Sequence, residues 1–275
     1  MPQYQHYIPR AHLKLFLEDK SKERKLHVYS KKDGYLGRKP YKKIAGEDDS
    51  HPETVESKMS FIEGLAAEPL RKIAANPKTP LRQEDWFAVY LYMAFTAARH
   101  PERTRHLHHQ LRERIIRHPL FLLRGKEILS QETFFQILFT AVVPDLAWPL
   151  HQLHWTALTL ADDADEQFAI SDRGVDIAWS GDYGPPNQDS LVLMPISRRV
   201  LLVGAVEPDS LKPILQSPRQ VNARLLLRAY EYIFSTHELD YAELHRMAEA
   251  IDLRSRLMAH GQEPRTRIWT PHGWQ

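Results

Sequence analysis

The chain contains no cysteine. That absence excludes disulfide frameworks, thiolate zinc sites and a cysteine nucleophile, and it fits a reducing compartment. Walker-type phosphate loops and the patterns G-x-G-x-x-G, H-E-x-x-H and G-x-S-x-G are absent as well, so the common nucleotide-loop, zinc-protease and serine-hydrolase signatures are missing. Charge of one sign is scarce overall: 37 Lys and Arg against 35 Asp and Glu give +2, which does not by itself announce a nucleic-acid partner. No apolar run approaches the roughly 18 residues of a membrane span, and MPQYQHYIPR is not of signal-peptide type, so the expectation is a soluble, cytoplasmic protein without a membrane partner. Internal repeats and low-complexity linkers are also missing. With 275 residues and 43% hydrophobic side chains, the chain reads as one domain over 1–260 with a C-terminal tail, 261–275.

Periodicity supplies the elements. Leu13, Phe16 and Leu17 share a short helical face. KLHVYSK and the stretch around PYKKIAG read as strands, with KKDGYLGRKP as the turn between them. Helices are predicted over Thr54–Ala75, with Pro69 as a kink or boundary, and over Arg82–Arg99, apolar almost all round and therefore a core helix. Two more follow in HLHHQLRERIIRH and SQETFFQILFTAVV. HWTALTLA, QFAISD, VDIAWS and SLVLMPISRRVLLVG read as strands, and helices over 218–235 and 240–260 close the domain. The pattern is α+β: a predominantly helical single domain enclosing a small, mostly antiparallel sheet.

Histidine and arginine are where chemistry could reside. Residues 99–126 carry Arg99, Arg103, Arg105, Arg112, Arg114, Arg117, Arg124 and Lys126 against Glu102 and Glu113. A basic helix of this kind is the electrostatic footprint of a nucleic-acid binder, although solvated arginine faces are common in any protein. Glu102, His106 and His109 fall at i, i+4 and i+7, a spacing that can gather metal ligands and that a His-rich exposed helix also produces by coincidence. The opening His6, Tyr7 and Arg10 combine a group that titrates near neutrality with an anion-holding fork. The same residues would equally serve as packing, a cap and an ion pair.

Several separated pieces, taken in order, resemble the family grouped as domain of unknown function 4238. QHYIPRAHLKLF is similar to its "HYxPRxxLxxF" start, and ETVESKMSFIEGLAAEPLRKI to its acidic helix, with Glu63 in the "IE" step. FTAARHPERTR is similar to its "R-x-P" helix end, FAISDRGV to its "TSDxPV" strand end, LMPISRRVLLV to its "PLS" strand, and VNARLLLRAYEYIFS to its Asn-led late helix. The resemblance spans most of residues 5–236. It departs where the family's Thr-Ser-Asp-Asn-Pro is here Ile170, Ser171, Asp172, Arg173, Gly174.

The matched positions imply a convergent polar pocket. His6, Tyr7, Arg10, Glu63, Arg99 and Asp172 are its candidate catalytic groups, and Ser171, Ser197, Asn222, Arg103 and Arg105 its candidate substrate-binding groups. The resemblance brings no settled activity. The chemistry of the set suits a phosphodiester- or nucleotide-directed enzyme, most simply a nuclease, with toxins and phage-defence effectors as an analogy. Such an enzyme implies nucleic acid or a nucleotide as partner and a divalent cation as cofactor, with its ligands unassigned. The competing reading is a non-catalytic ligand-binding or regulatory module around a buried His/Arg/Glu/Asp cluster.

Overall fold

A computed structural model describes residues 4–18, 23–48, 52–116, 130–161, 163–178, 190–207, 217–259, 269–270 and 273–274. Helices and several small antiparallel sheets alternate along the chain, an α+β fold.

The larger apolar strands explain themselves by burial. β5 (His154–Thr159), β7 (Asp176–Ala178), β8 (Leu191–Ser197) and β9 (Val200–Ala205) form a four-stranded sheet in the order β5-β9-β8-β7. Leu191, Leu193, Leu201 and Val203 point to one side, where they pack with Val221, Leu225 and Leu244. Val192, Met194, Ile196 and Leu202 point to the other, against Ala66, Leu70, Val89 and Met93. Both faces are covered, so β8 and β9 read as one unbroken apolar run in which alternation is invisible. That run is in fact a hairpin that reverses between Ser197 and Val200.

A second four-stranded sheet contains β2 (Lys25–Ser30), β3 (Gly34–Pro40), β6 (Ile170–Ser171) and β10 (Tyr232–Ser235), in the order β3-β2-β10-β6. Two expectations fail here. PYKKIAG is not the partner of KLHVYSK; GYLGRKP is, because the turn closes at residues 31–33 and both glycines of the expected turn lie within the strand. Gly34 and Gly37 have φ of 79° and 92°, and the register slips beside Gly37, a bulge that needs glycine's freedom. The late helix predicted over 218–235 stops at Arg228, and Tyr232–Ser235 crosses as the central strand β10. Its apolar Ile233 and Phe234 fit a helical period equally well, and the strands around Val28 and Ile170, far away in sequence, hold it extended. The strands therefore make separate small sheets, not one.

The N-terminal β1 (Tyr4–His6) pairs with β4 (Gly46–Asp48), and α1 spans Arg10–Leu13. The helices α2 (Glu53–Ala75) and α3 (Gln83–Arg99) pack antiparallel, and α2 runs through Pro69 without ending. α4 covers Pro101–Ile116, with Arg117, His118, Arg124 and Lys126 of the basic stretch outside the described residues. A continuous helical stretch, Glu132–Gln152, packs Phe134, Phe135, Leu138 and Val143 near α3. It is 21 residues long and holds an 18-residue window of mean hydropathy 1.3, long and apolar enough to cross a membrane by length and composition, a test that core helices also meet. The helix expected in SQETFFQILFTAVV thus extends to Gln152, through Asp145 and two prolines. The helices Pro218–Arg228 (α5) and Tyr241–Ala259 (α6) cover the remaining face of the larger sheet. In the tail, Trp269–Thr270 pairs with Gly273–Trp274.

Candidate functional site

The opening segment is built into the core. Tyr7 and Ile8 donate their main-chain N–H groups to the Ala45 carbonyl, and Ile8 is fully buried. Ala45 takes a left-handed φ of 52°, unusual for a residue with a Cβ, to present that carbonyl. Arg99, at the last position of α3, reaches the same segment from the opposite side. Its Nε donates to the Tyr7 carbonyl at 2.6 Å, its Nη2 to the His6 carbonyl, and its Nη1 to Glu63 Oε1 at 2.5 Å. The guanidinium also lies 4.7 Å from the Phe95 ring centroid. The Arg99 side chain is 2% exposed and that of Glu63 30%.

Asp172 follows β6 directly. Its carboxylate accepts hydrogen bonds from the N–H groups of Tyr230, Glu231 and Tyr232 at 2.9, 2.6 and 2.8 Å, and its own N–H donates to the Tyr232 carbonyl. The charge thereby caps the entry to β10. Burial pushes the Asp172 pKa up against the pull of those three N–H groups. The turn beneath it is closed by Gly174 N–H on the Ser171 carbonyl, with Gly174 at φ 69°. A proline, fixed near −65°, could not occupy that position, so the departure at Gly174 changes the turn itself.

Between these two charges stands an aromatic ladder. Tyr7 meets His100 at 4.6 Å, His100 stacks on Tyr230 at 4.1 Å, and Arg173 lies 4.8 Å from the Tyr230 centroid. His100, which the sequence reading did not single out, has its Nε2 3.9 Å from Asp172 and its pKa lowered to about 3, first by burial and then by Arg173 and Arg105. It is therefore a neutral stacking element at ordinary pH. Burial raises the Tyr7 hydroxyl pKa, with Asp172 adding to the shift. His12 was also missed. Fully buried, it meets the Tyr92 hydroxyl at 3.0 Å and the Pro195 carbonyl at 2.8 Å, and burial lowers its pKa to about 4. The signal available for His12 was a histidine beside the apolar Leu13 and Phe16; His100, at the C-cap of α3 directly before Pro101, offered only its place at a helix end.

The rim of the cluster is more open. Arg10 is exposed, and its Nε donates to His6 Nε2 at 2.8 Å. Burial, then Arg10 and Arg99, lower the His6 pKa to about 4, with Glu56 acting in the other direction. His6 thus carries a neutral imidazole at pH 7.

The remaining expected residues lie elsewhere. Ser171 is a buried β6 residue in register with Ile233. Ser197 accepts from the Arg199 N–H at the β8–β9 turn. Asn222 clamps the chain before β6, accepting from Ala169 N–H and donating to the Gln167 carbonyl, both at 2.8 Å. It lines a cavity of about 140 Å³ shared with Arg219, His237 and Glu243, away from Arg99. Arg105 pairs with Glu102 at 2.6 Å on the exposed side of α4, and Arg103 is half-buried on the same helix. Among the described residues, no group of three or more His, Asp or Glu side chains is placed to hold a metal ion, the set Glu102, His106 and His109 included.

The structure therefore brings together His6, Tyr7, Arg10, Glu63 and Arg99, joins Asp172 to them through His100 and Tyr7, and leaves Ser197, Asn222, Arg103 and Arg105 outside. No curated protein and no solved structure matches the chain. Residues 4–238, most of its length, match the family described as protein of unknown function (DUF4238), and the chain belongs to that family.

Proposed function

We propose that this protein is a phosphodiester- or nucleotide-directed enzyme, most simply a nuclease, and that its working groups are His6, Arg10 and Glu63. The observation that carries the reading is the contact between a neutral, half-buried imidazole and an exposed guanidinium at 2.8 Å. It sets a proton acceptor beside an anion-holding fork. Arg10 would bind a phosphoryl oxygen, and His6 Nε2 would take the proton of an attacking hydroxyl. Arg99, Tyr7 and Asp172 would serve as the frame that fixes the His6 main chain. Of the carboxylates that could hold a divalent cation, Glu63 is bound by Arg99 and Asp172 by three main-chain N–H groups, and no group of three His, Asp or Glu converges among the described residues, so no step is routed through a cation. We read the chain as a predominantly helical single domain over 1–260 with a tail over 261–275, cytoplasmic, without a membrane partner and with nucleic acid or a nucleotide as partner. A defence or toxin role rests on analogy alone.

One observation favours the second reading, a non-catalytic ligand-binding or regulatory module: apart from the Arg99–Glu63 pair, every described side-chain hydrogen bond of Arg99 and Asp172 goes to main chain. Cleavage of labelled single-stranded and duplex DNA and RNA, with and without Mg²⁺ or Mn²⁺, separates the two. Wild-type cleavage lost in folded His6→Gln and Arg10→Ala supports the enzyme. No wild-type cleavage on any substrate leaves the binding module.

A further inference from the structure

Arg10 and His6 differ in how firmly each is held. The His6 carbonyl is held by Arg99, and the next residue's N–H is tied to Ala45 at 2.9 Å. The ring itself is walled in. His6 is in register with Gly46, where an added Cβ would come within 2.8 Å of Nδ1 and 2.5 Å of the Gln5 carbonyl. The Tyr4 ring stands edge-on at 5.0 Å. Because Arg10 donates to Nε2, the single proton of the neutral imidazole sits on Nδ1. Nδ1 is buried and finds no hydrogen-bond partner among the described residues. The ring thus has one usable lone pair, on Nε2, and Arg10 occupies it.

Arg10 is the movable member. It is exposed, begins α1, and among the described residues its side chain hydrogen-bonds to His6 alone. A guanidinium prefers a charged oxyanion to a neutral ring nitrogen, since charge-assisted bonds are about twice as strong as neutral ones.

We propose that this pair is an anion-released base: a phosphoryl oxyanion seated on Arg10 takes over its Nε–H and leaves His6 Nε2 open to accept a proton. The inference rests on the rim reading of the site and adds a regulation to it, in that the base stays masked until the phosphate-bearing ligand arrives. The proton balance is simple. Nε2 gains a proton while Nδ1 keeps its own, and the imidazolium charge is offset by the anion on Arg10. The charges that act on the ring are Arg10 on α1, Arg99 on α3 and Glu56 on α2; the other titratable groups on the packed elements are Glu63 on α2, the neutral Tyr4 on β1, and Glu47 and Asp48 on β4. Glu63 is engaged by Arg99, so displacement of Arg10 shifts the balance toward the protonated ring.

The test is the titration of the His6 ring by NMR in the full chain, with its signal assigned by its loss in His6→Gln, in the presence and absence of inorganic phosphate. Wild type without phosphate should stay neutral down to about pH 4. Saturating phosphate should raise its proton affinity by about tenfold or more, one pH unit. Arg10→Gln should start higher than wild type and ignore phosphate; its fold is checked by thermal melting. A wild-type midpoint that phosphate does not move, or an equal response in Arg10→Gln, overturns the proposal. The readout is independent of turnover: His6-dependent cleavage with an unmoved midpoint would sink the release step and keep the enzyme, and a moved midpoint without cleavage would do the reverse.

Discussion

The frame and the rim of the cluster hold the same kinds of side chain under opposite conditions. Each side-chain nitrogen of Arg99 and each carboxylate oxygen of Asp172 has a partner, the cation in two main-chain carbonyls and a carboxylate, the anion in three main-chain N–H groups. The side chains of Arg10 and His6 hydrogen-bond to each other and to nothing else among the described residues. A buried charge with all its bonds made is tolerated because its desolvation is repaid in place, and removing it strands its partners. A charge with a single, exchangeable partner costs little to redirect. Residue type alone would put both arginines in one class; partner count separates them.

The comparison breaks most severely at Arg99. Arg99→Ala should lose about 3–5 kcal/mol of stability in urea unfolding, because it leaves Glu63 and two buried carbonyls without their donor. Arg99→Lys should recover only part of the loss, as one ammonium cannot serve three directions at once. A near-neutral Arg99→Ala would mean that the frame is not a frame.

Asp172→Asn comes next, at about 2–3 kcal/mol, since the amide places an N–H₂ against main-chain N–H donors that now meet an oxygen. Loss of β10 protection in hydrogen exchange, ahead of the larger sheet, would locate the damage.

Acid should act through the histidines. Each of His6, His12 and His100 has a folded pKa below the ordinary 6.5, at about 4, 4 and 3. Between the folded and ordinary values the unfolded chain binds protons that the folded chain refuses, so stability falls as pH drops from about 6.5 toward 4. The fully buried His12 alone is worth on the order of 2–3 kcal/mol over that window. Asp172 acts with the opposite sign, because its raised pKa lets the folded chain take a proton first in the carboxylate range. A melting temperature that is flat from pH 7 to 4.5 would contradict the burial of His12.

The smallest stability effect belongs to the rim. Arg10→Ala should change stability by about 0.5 kcal/mol or less, as surface contacts do. Its effect should instead be read in ligand binding and in the His6 titration. If Arg10→Ala were as costly as Arg99→Ala, the contrast between frame and rim would disappear.

Much of this was legible beforehand in unequal parts. The long helices α2 and α3 follow from 3.6-residue spacing over many turns, and α2's passage through Pro69 shows that tertiary packing can carry a helix past a missing bond. The motif residues His6, Tyr7, Arg10, Glu63 and Arg99 were found from their resemblance to the family and do converge. Ser197 and Asn222 were drawn in by the same resemblance, yet they close a turn and clamp a strand. Motif position reports that a side chain matters without saying whether it meets a ligand or its own backbone.

By itself the sequence determined the composition of an α+β core, the helical periods, the absence of thiol chemistry and the chemical inventory at the N-terminus, because each depends on residue type or short-range spacing. The tertiary structure alone decided that Tyr232–Ser235 is a central strand, that Asp172 caps it, that His12 and His100 are buried neutral, and that Arg99 belongs to the frame while Arg10 belongs to the rim. All but the Arg10–His6 contact, four residues apart, depend on partners tens to hundreds of residues away, and a side chain's charge, partners and freedom are set by what surrounds it in space.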